Sequence, residues 1–217
     1  MGSVALVFAG GEPPPHSALV DLPRGDFVVA ADSGLHHAIA LGFDVDLVVG
    51  DLDSADPAMV AATAAAGAAV ERHPDVKDAT DLELALVAVR ERGFTDVVVI
   101  GGHGGRLDHF LANALLLAAP AVAGLRIEAR VGDARLHVVR DVQELHGAVG
   151  ELCTLLPLGG PAHGVRTENL RFPLSGETLR PGSTRGVSNE LISTVARVSL
   201  DDGVLLVILP LPRKAAR

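Results

Sequence analysis

The chain has 217 residues, 48% of them apolar, with 27 acidic against 18 basic side chains and a formal charge of −9. High apolarity with only 21% charged residues excludes a disordered chain, and the acidic balance argues against nucleic-acid partners, which need a cationic surface. The single cysteine, Cys153, excludes a disulfide framework and a cysteine-rich metal centre, and no apolar run reaches the roughly 18 residues of a membrane span.

Val4–Phe8 is the first strand-like run, closed by Gly10-Gly11 and a triple proline at 13–15. It lacks the cationic start and long apolar stretch of a signal peptide, so a cytoplasmic protein is expected. Phe27–Ala31 is the second strand, followed by a helical pattern over 33–41 that Gly42 stops. A third strand over 45–49 leads to a helix over 57–66, with Pro57 suited to its first turn. A short fourth strand at 69–71 precedes a strong helix over 81–92, a fifth strand over 97–100, a helix over 107–118 and a sixth strand over 125–131. Strands alternating with helices imply right-handed crossovers and a parallel sheet. Their continuous apolar runs fit strands covered on both faces.

Beyond Gly132 turn signals crowd together, among them Gly147, Gly150, Gly159-Gly160-Pro161, Gly176, Pro181-Gly182 and Asp202-Gly203. Strand-like pieces lie between them at 152–156, 194–200 and 204–209, the pattern of an antiparallel β domain. The expected fold class is therefore α/β: an N-terminal three-layer domain on a parallel sheet over residues 1–132, then a C-terminal antiparallel β domain, a small sandwich or barrel, over 133–217. The charge follows a similar division. Residues 1–109 carry 17 acidic and 6 basic side chains, whereas 110–217 carry 10 and 12.

Parallel α/β sheets bind ligands beyond the carboxyl ends of their strands. The first five strands lead into Gly10-Gly11, Asp32-Ser33-Gly34, Gly50-Asp51-Leu52-Asp53-Ser54, Lys77-Asp78-Ala79-Thr80-Asp81, and the stretch from Gly101 to His109. Asp51 and Asp53 are two residues apart, so in extended chain both carboxylates point one way and repel unless a cation lies between them. Mg²⁺ takes a few carboxylate oxygens and leaves positions for phosphate; the alternative is a polar turn in which Ser54 or Asp56 caps the next helix. Thr80 and Glu83 form a capping box, and Asp81 suits a first helical turn. That structural role leaves Lys77 and Asp78 unexplained, so a phosphate contact for Lys77 and a further metal-site carboxylate at Asp78 stay open.

Gly101, Gly102, Gly104 and Gly105 could form an anion-binding nest before a helix, with Arg106 as a planar fork for phosphate. Asp108 either supports the metal or favours the helix start. His103 and His109 read as polar loop and helix residues, and His36-His37 as structural or surface positions. The only lysines, Lys77 and Lys214, lie outside any P-loop context. Cys153, in an apolar run, reads as a small buried hydrophobe.

In order and spacing, Ala30-Ala31-Asp32-Ser33-Gly34, Gly50-Asp51-Leu52-Asp53-Ser54, Lys77-Asp78-Ala79-Thr80-Asp81 and Gly104-Gly105-Arg106-Leu107-Asp108-His109 resemble the thiamine pyrophosphokinase family. Gly186-Val187-Ser188-Asn189-Glu190 looks like that family's thiamine-side motif. The resemblance implies an ATP-binding α/β domain and a β-sandwich used for thiamine binding and dimerisation. It also implies a homodimer, with thiamine between the ATP domain of one subunit and the β domain of the other. By this likeness Asp51, Asp53 and Asp81 hold Mg²⁺, and Asp78, Thr80, Arg106 and Asp108 complete the catalytic set. Gly10, Gly11, Asp32, Ser33, Gly34, Lys77 and the 101–106 loop bind ATP. Phe172, Ser188 and Asn189 meet thiamine, with Phe172 standing where the family usually has tryptophan.

The implied reaction transfers a diphosphoryl group from ATP to the thiamine hydroxyl and releases AMP, with Asp81 or Asp108 as the candidate base. Two rivals use the same residues: a metal-dependent nucleotide-sugar transferase of the Asp-x-Asp type, and a non-catalytic nucleotide or thiamine sensor. Neither accounts for the whole set. The transferase has no need of the Arg106 loop, and a sensor gains nothing from so many carboxylates.

Overall fold

In a computed structural model, which describes residues 2–74 and 79–211, the chain divides after Gly132 into two compact units. Lys77 and Asp78 lie outside the described residues. The first unit contains strands β1 (Val4–Phe8), β2 (Phe27–Ala31), β3 (Leu47–Gly50), β4 (Ala69–Arg72), β5 (Asp96–Ile100) and β6 (Arg126–Val131). Its helices are α1 (Gly34–Ala40), α2 (Pro57–Ala65), α3 (Asp81–Glu91) and α4 (Leu107–Leu116), with short 3₁₀ turns at His16–Leu19 and Pro120–Val122.

The six strands run parallel in the order β6-β5-β1-β2-β3-β4. In β1, β2, β3 and β5 successive residues are buried whichever way they point, which requires cover on both faces. Leu6, Phe8, Val28, Val98 and Ile100 pack with Ala38 of α1. Helix α3 lies along β1, β2 and β3 with Leu82, Ala85, Leu86 and Val89 turned inward. The helix starts follow their capping chemistry: Asp56 accepts from the Ala58 N–H at 2.9 Å ahead of α2, and Thr80 Oγ1 accepts from the Glu83 N–H at 3.2 Å ahead of α3.

From β1 the sheet grows through β2, β3 and β4 in one direction, and the chain then returns to add β5 and β6 on the other side. The loops after β1 and β5 therefore diverge and open a crevice at the carboxyl edge. The buried side chain of Arg130 on β6 fastens the segment after β1. Its guanidinium donates to the carbonyls of Ala18, Val20 and Asp21 and to Glu128 Oε1.

The second unit contains β7 (Ala134–Val139), β8 (Val142–His146), β9 (Leu152–Pro157), β10 (Ala162–Glu168), β11 (Ser175–Leu179), β12 (Asn189–Glu190), β13 (Val195–Ser199) and β14 (Leu205–Pro210). They form two antiparallel arrays, ordered β12-β9-β14-β7 and β11-β10-β13-β8. Cys153, Leu155, Leu205 and Val207 of the first share one core with Leu145, Val165, Ala196 and Val198 of the second. This is the packing of a β-sandwich. Among the described residues no helix is long and apolar enough to cross a membrane.

Candidate active site

An open cleft of about 480 Å³ lies at the carboxyl edge of the parallel sheet. Its acidic end is built by the corners after β2 and β3. Asp32 turns the chain out of β2 in a left-handed conformation (φ 47°), directly before α1. Helix α1 can start there because its first residue is glycine: a Cβ on Gly34 would fall 2.1 Å from the Phe8 carbonyl oxygen. Gly50 ends β3 with φ 146°, and a Cβ on it would crowd Asp81 Oδ1 at 2.9 Å and the Asp32 Cβ at 3.2 Å. Asp32 and Asp81 thus close around a position that only glycine leaves open.

Asp51 and Asp53 do converge, but not by strand alternation. Leu52 between them is left-handed (φ 63°), and the Asp53 N–H donates to Asp51 Oδ1 at 3.3 Å. Leu52 is buried among Ala30, Leu35, Val48, Ala55 and Val60. A tight turn anchored by a core leucine, rather than an extended strand, brings the two carboxylates together.

One oxygen from each of Asp32, Asp51 and Asp53 lies within 4.8 Å of the others. Asp32 joins Asp51 and Asp53 in this set, and Asp81, the third expected metal ligand, lines the same cleft. Asp32 Oδ1 is buried and without a hydrogen-bond partner. Burial, and then the charges of Asp81, Asp51 and Asp53, push the Asp32 carboxyl above the ordinary 3.8, against a lowering by the Ser33 N–H. Three gathered carboxylates, one with an unsatisfied buried oxygen, are a hard all-oxygen donor set, which fits Mg²⁺ or a similar cation.

Arg106 and Asp108 depart from expectation together. Arg106 Nη2 donates to Asp108 Oδ2 at 2.6 Å and Nε to Oδ1 at 3.2 Å. The hydrogen bonds from Arg106 hold the Asp108 carboxyl down to about 2. Arg106 lines the cleft, whereas Asp108 is an exposed partner of that arginine. Asp108 therefore does not join the carboxylate cluster.

Among the other expected nucleotide contacts, Gly10, Gly11, Ser33, Gly102 and Gly104 line the cleft, as do Thr80 and Asp81 of the catalytic set; Gly34, Gly101 and Gly105 do not. The nest over 101–105 is altered. The N–H of Gly101 donates to the Arg130 carbonyl and that of Gly102 to the Gly10 carbonyl. These two amides are tied to β6 and to the loop after β1, which leaves anion contact to the later part of the stretch. Sequence reasoning missed Asn113 and set His109 aside, yet both line the cleft. Their four-residue spacing on α4 puts them on one side of that helix. His36 Nε2 accepts from the Asp56 N–H at 3.0 Å and His37 Nε2 lies 3.1 Å from the Gly11 carbonyl, both structural roles. Burial pushes the Cys153 thiol up to about 12, consistent with an inert core residue.

In the second unit, Phe172 is exposed. Ser188 sits in a left-handed turn (φ 55°), with its N–H on Thr154 Oγ1 at 3.1 Å. Asn189 is buried, and both ends of its side-chain amide are engaged with backbone.

The family model for the catalytic domain of thiamin pyrophosphokinase matches residues 22–129, and that for the vitamin B1 binding domain of the same family matches residues 134–205. The chain belongs to the thiamine pyrophosphokinase family. A thiamine pyrophosphokinase from Bacillus subtilis is 27% identical over 186 residues, 83% of this chain and 85% of its own. Thiamine pyrophosphokinase 1 of rice (Oryza sativa subsp. japonica) is 24% identical over 181 residues, 78% of this chain and 68% of its own. The crystal structure of the Bacillus subtilis thiamine pyrophosphokinase superposes with a TM-score of 0.81 at 24% identity, covering 97% of this chain and 100% of that one. A thiamin pyrophosphokinase family protein from Enterococcus faecalis gives 0.78 at 26%, covering 98% and 100%. Membership of the thiamine pyrophosphokinase family disfavours both the nucleotide-sugar transferase and the sensor.

Proposed function

We propose that the chain is an ATP-dependent thiamine diphosphokinase whose first unit (1–132) binds ATP and Mg²⁺ and whose second (133–217) binds thiamine and dimerises. The observation that carries the site assignment is the cluster of Asp32, Asp51 and Asp53, with a buried, unsatisfied oxygen on Asp32, at the carboxyl edge of a parallel sheet. Asp32, Asp51 and Asp53 would hold Mg²⁺, which when bound neutralises charge on the polyphosphate. Arg106 exchanges its Asp108 partner for phosphate oxygens, a match for its planar fork. The glycine loops after β1 and β5 admit the nucleotide close to backbone.

In the reaction the thiamine hydroxyl oxygen forms a bond to the β-phosphorus of ATP. The bond from that phosphorus to the oxygen bridging to the α-phosphorus breaks, and AMP leaves with the bridging oxygen. Asp81, at the start of α3 and facing the cleft, receives the hydroxyl proton; Asp108 is not among the residues that line the cleft. Positioning and charge neutralisation do most of the work, as in phosphoryl transfers generally. Phe172 and Ser188 supply the thiamine side. Leucines 107, 111 and 115, exposed along α4, and Val149, Leu152 and Ile192, exposed in the second unit, support a homodimer that covers apolar surface. A cytoplasmic location fits the lone, buried thiol.

The deciding experiment is ³¹P NMR of ATP, Mg²⁺ and protein with and without thiamine. AMP and thiamine diphosphate should form only when thiamine is present; AMP release that ignores thiamine would overturn the substrate assignment.

A further inference from the structure

The Asn189 side chain makes three hydrogen bonds, all to backbone. It is 3% exposed, on the two-residue strand β12. Its Oδ1 accepts from the Phe172 N–H at 2.9 Å and from the Glu190 N–H at 2.9 Å, while its Nδ2 donates to the Phe172 carbonyl at 2.8 Å. One amide therefore satisfies both backbone groups of Phe172, as a residue opposite it in an antiparallel ladder would. Asparagine alone has this reach and polarity: aspartate loses the donor, and glutamine is one methylene too long.

The flanking chain reinforces the arrangement. Leu170 and Leu191 are buried in the sandwich core and bridge one another. The Arg171 N–H donates to the Glu190 carbonyl at 2.9 Å, and the Arg171 guanidinium pairs with the Glu190 carboxylate at 2.9 Å. The same guanidinium sits 5.9 Å from the centre of the Phe172 ring, within cation–π range. Phe172 nevertheless stays 53% exposed, an aromatic ring with a locked backbone and one face occupied.

We infer that Asn189 is a positioning residue: its buried amide fixes the backbone of Phe172 so that Arg171 holds one face of the ring and the other is offered to a flat ring of the acceptor substrate. This rests on the proposal that Phe172 lies on the thiamine side. The face away from Arg171 suits the neutral aminopyrimidine better than the cationic thiazolium, because Arg171 already draws on the ring's π density. Locking the ring beforehand removes an ordering cost that would otherwise fall on binding.

A double-mutant cycle on the full chain tests this, with steady-state kinetics in thiamine and in ATP. Asn189→Ala should raise KM for thiamine about tenfold while kcat and KM for ATP change less than about twofold. On a Phe172→Ala background the same substitution should add nothing. Asn189→Asp, which keeps the acceptor and loses the donor, should fall between. An equal effect of Asn189→Ala with and without the phenylalanine ring would overturn the inference, as would an unchanged KM for thiamine in Phe172→Ala. If the wild type makes no thiamine-dependent AMP, the substrate proposal fails, and hydrogen exchange decides the positioning claim by itself. Exchange of the Phe172 amide at least about tenfold faster in Asn189→Ala than in wild type supports the clamp; equal rates overturn it.

Discussion

Asp51 and Asp53 are the residues whose loss should silence the chain. Asp51→Asn or Asp53→Asn should lower thiamine-dependent AMP formation by about 10²–10³-fold, the usual scale for removing one charge-stabilising group, with an unchanged far-UV spectrum. Near-normal turnover in either variant would remove the carboxylate cluster from the mechanism. Asp32 makes an opposite claim on stability. Its folded pKa lies above the ordinary 3.8, so its contribution to stability is complete below that value and is lost as pH rises through the raised one. In the metal-free protein burial and three neighbouring carboxylates disfavour its ionised form. Asp32→Asn should therefore raise the melting temperature in chelator at pH 7 by a few degrees, at about 2–4 °C per kcal/mol for a chain of this size. The gain should disappear below the ordinary carboxylate range, and added Mg²⁺ should stabilise the wild type more than the variant. Equal melting temperatures in chelator at pH 7 would contradict the assignment. The place of Asp32 in the carboxylate cluster was not legible in the sequence, because its neighbours lie some twenty residues away and meet it only through the pairing of β2 with β3. Nor were the backbone bonds of Asn189, because Phe172 lies 17 residues away in the chain.

At the scale of elements, the first unit was largely legible because each signal had a local cause. Continuous apolar runs gave the strands of the sheet, and Asp56, Pro57 and Thr80 marked helix starts by the bonds they make. Thr80→Ala should cost about 1 kcal/mol, the usual worth of a side-chain cap, while Thr80→Ser should not; thermal melting of both variants checks it. Because α3 carries Asp81 into the cleft, the alanine variant should also lose activity before it unfolds. The turn through Leu52 was misread as extended chain, since nothing local announces a left-handed leucine; burial of that side chain enforces it. In the second unit β9, β13 and β14 were visible and β7, β8, β10, β11 and β12 were not. Strand β11 buries only Leu179 of its five residues, and β12 has two residues in all. Such strands exist through their neighbours and carry little pattern of their own.

For the molecule as a whole, the uneven charge acquires a location: Asp32, Asp51, Asp53 and Asp81 of the acidic first unit all line one cleft. Light scattering should give twice 22.3 kDa at micromolar concentration if the exposed apolar residues are covered by a second copy; the mass of one chain would overturn the homodimer. The Asp-Leu-Asp turn bears on how such a protein changes over generations. Its middle residue belongs to the interior, so the spacing of the two flanking carboxylates is inherited from packing around Ala30, Val48 and Val60. A lineage that exchanges one of those core residues shifts the two carboxylates, and with them the proposed cation site, without touching an acidic position. Its freedom to drift in the interior is therefore limited by chemistry at the surface.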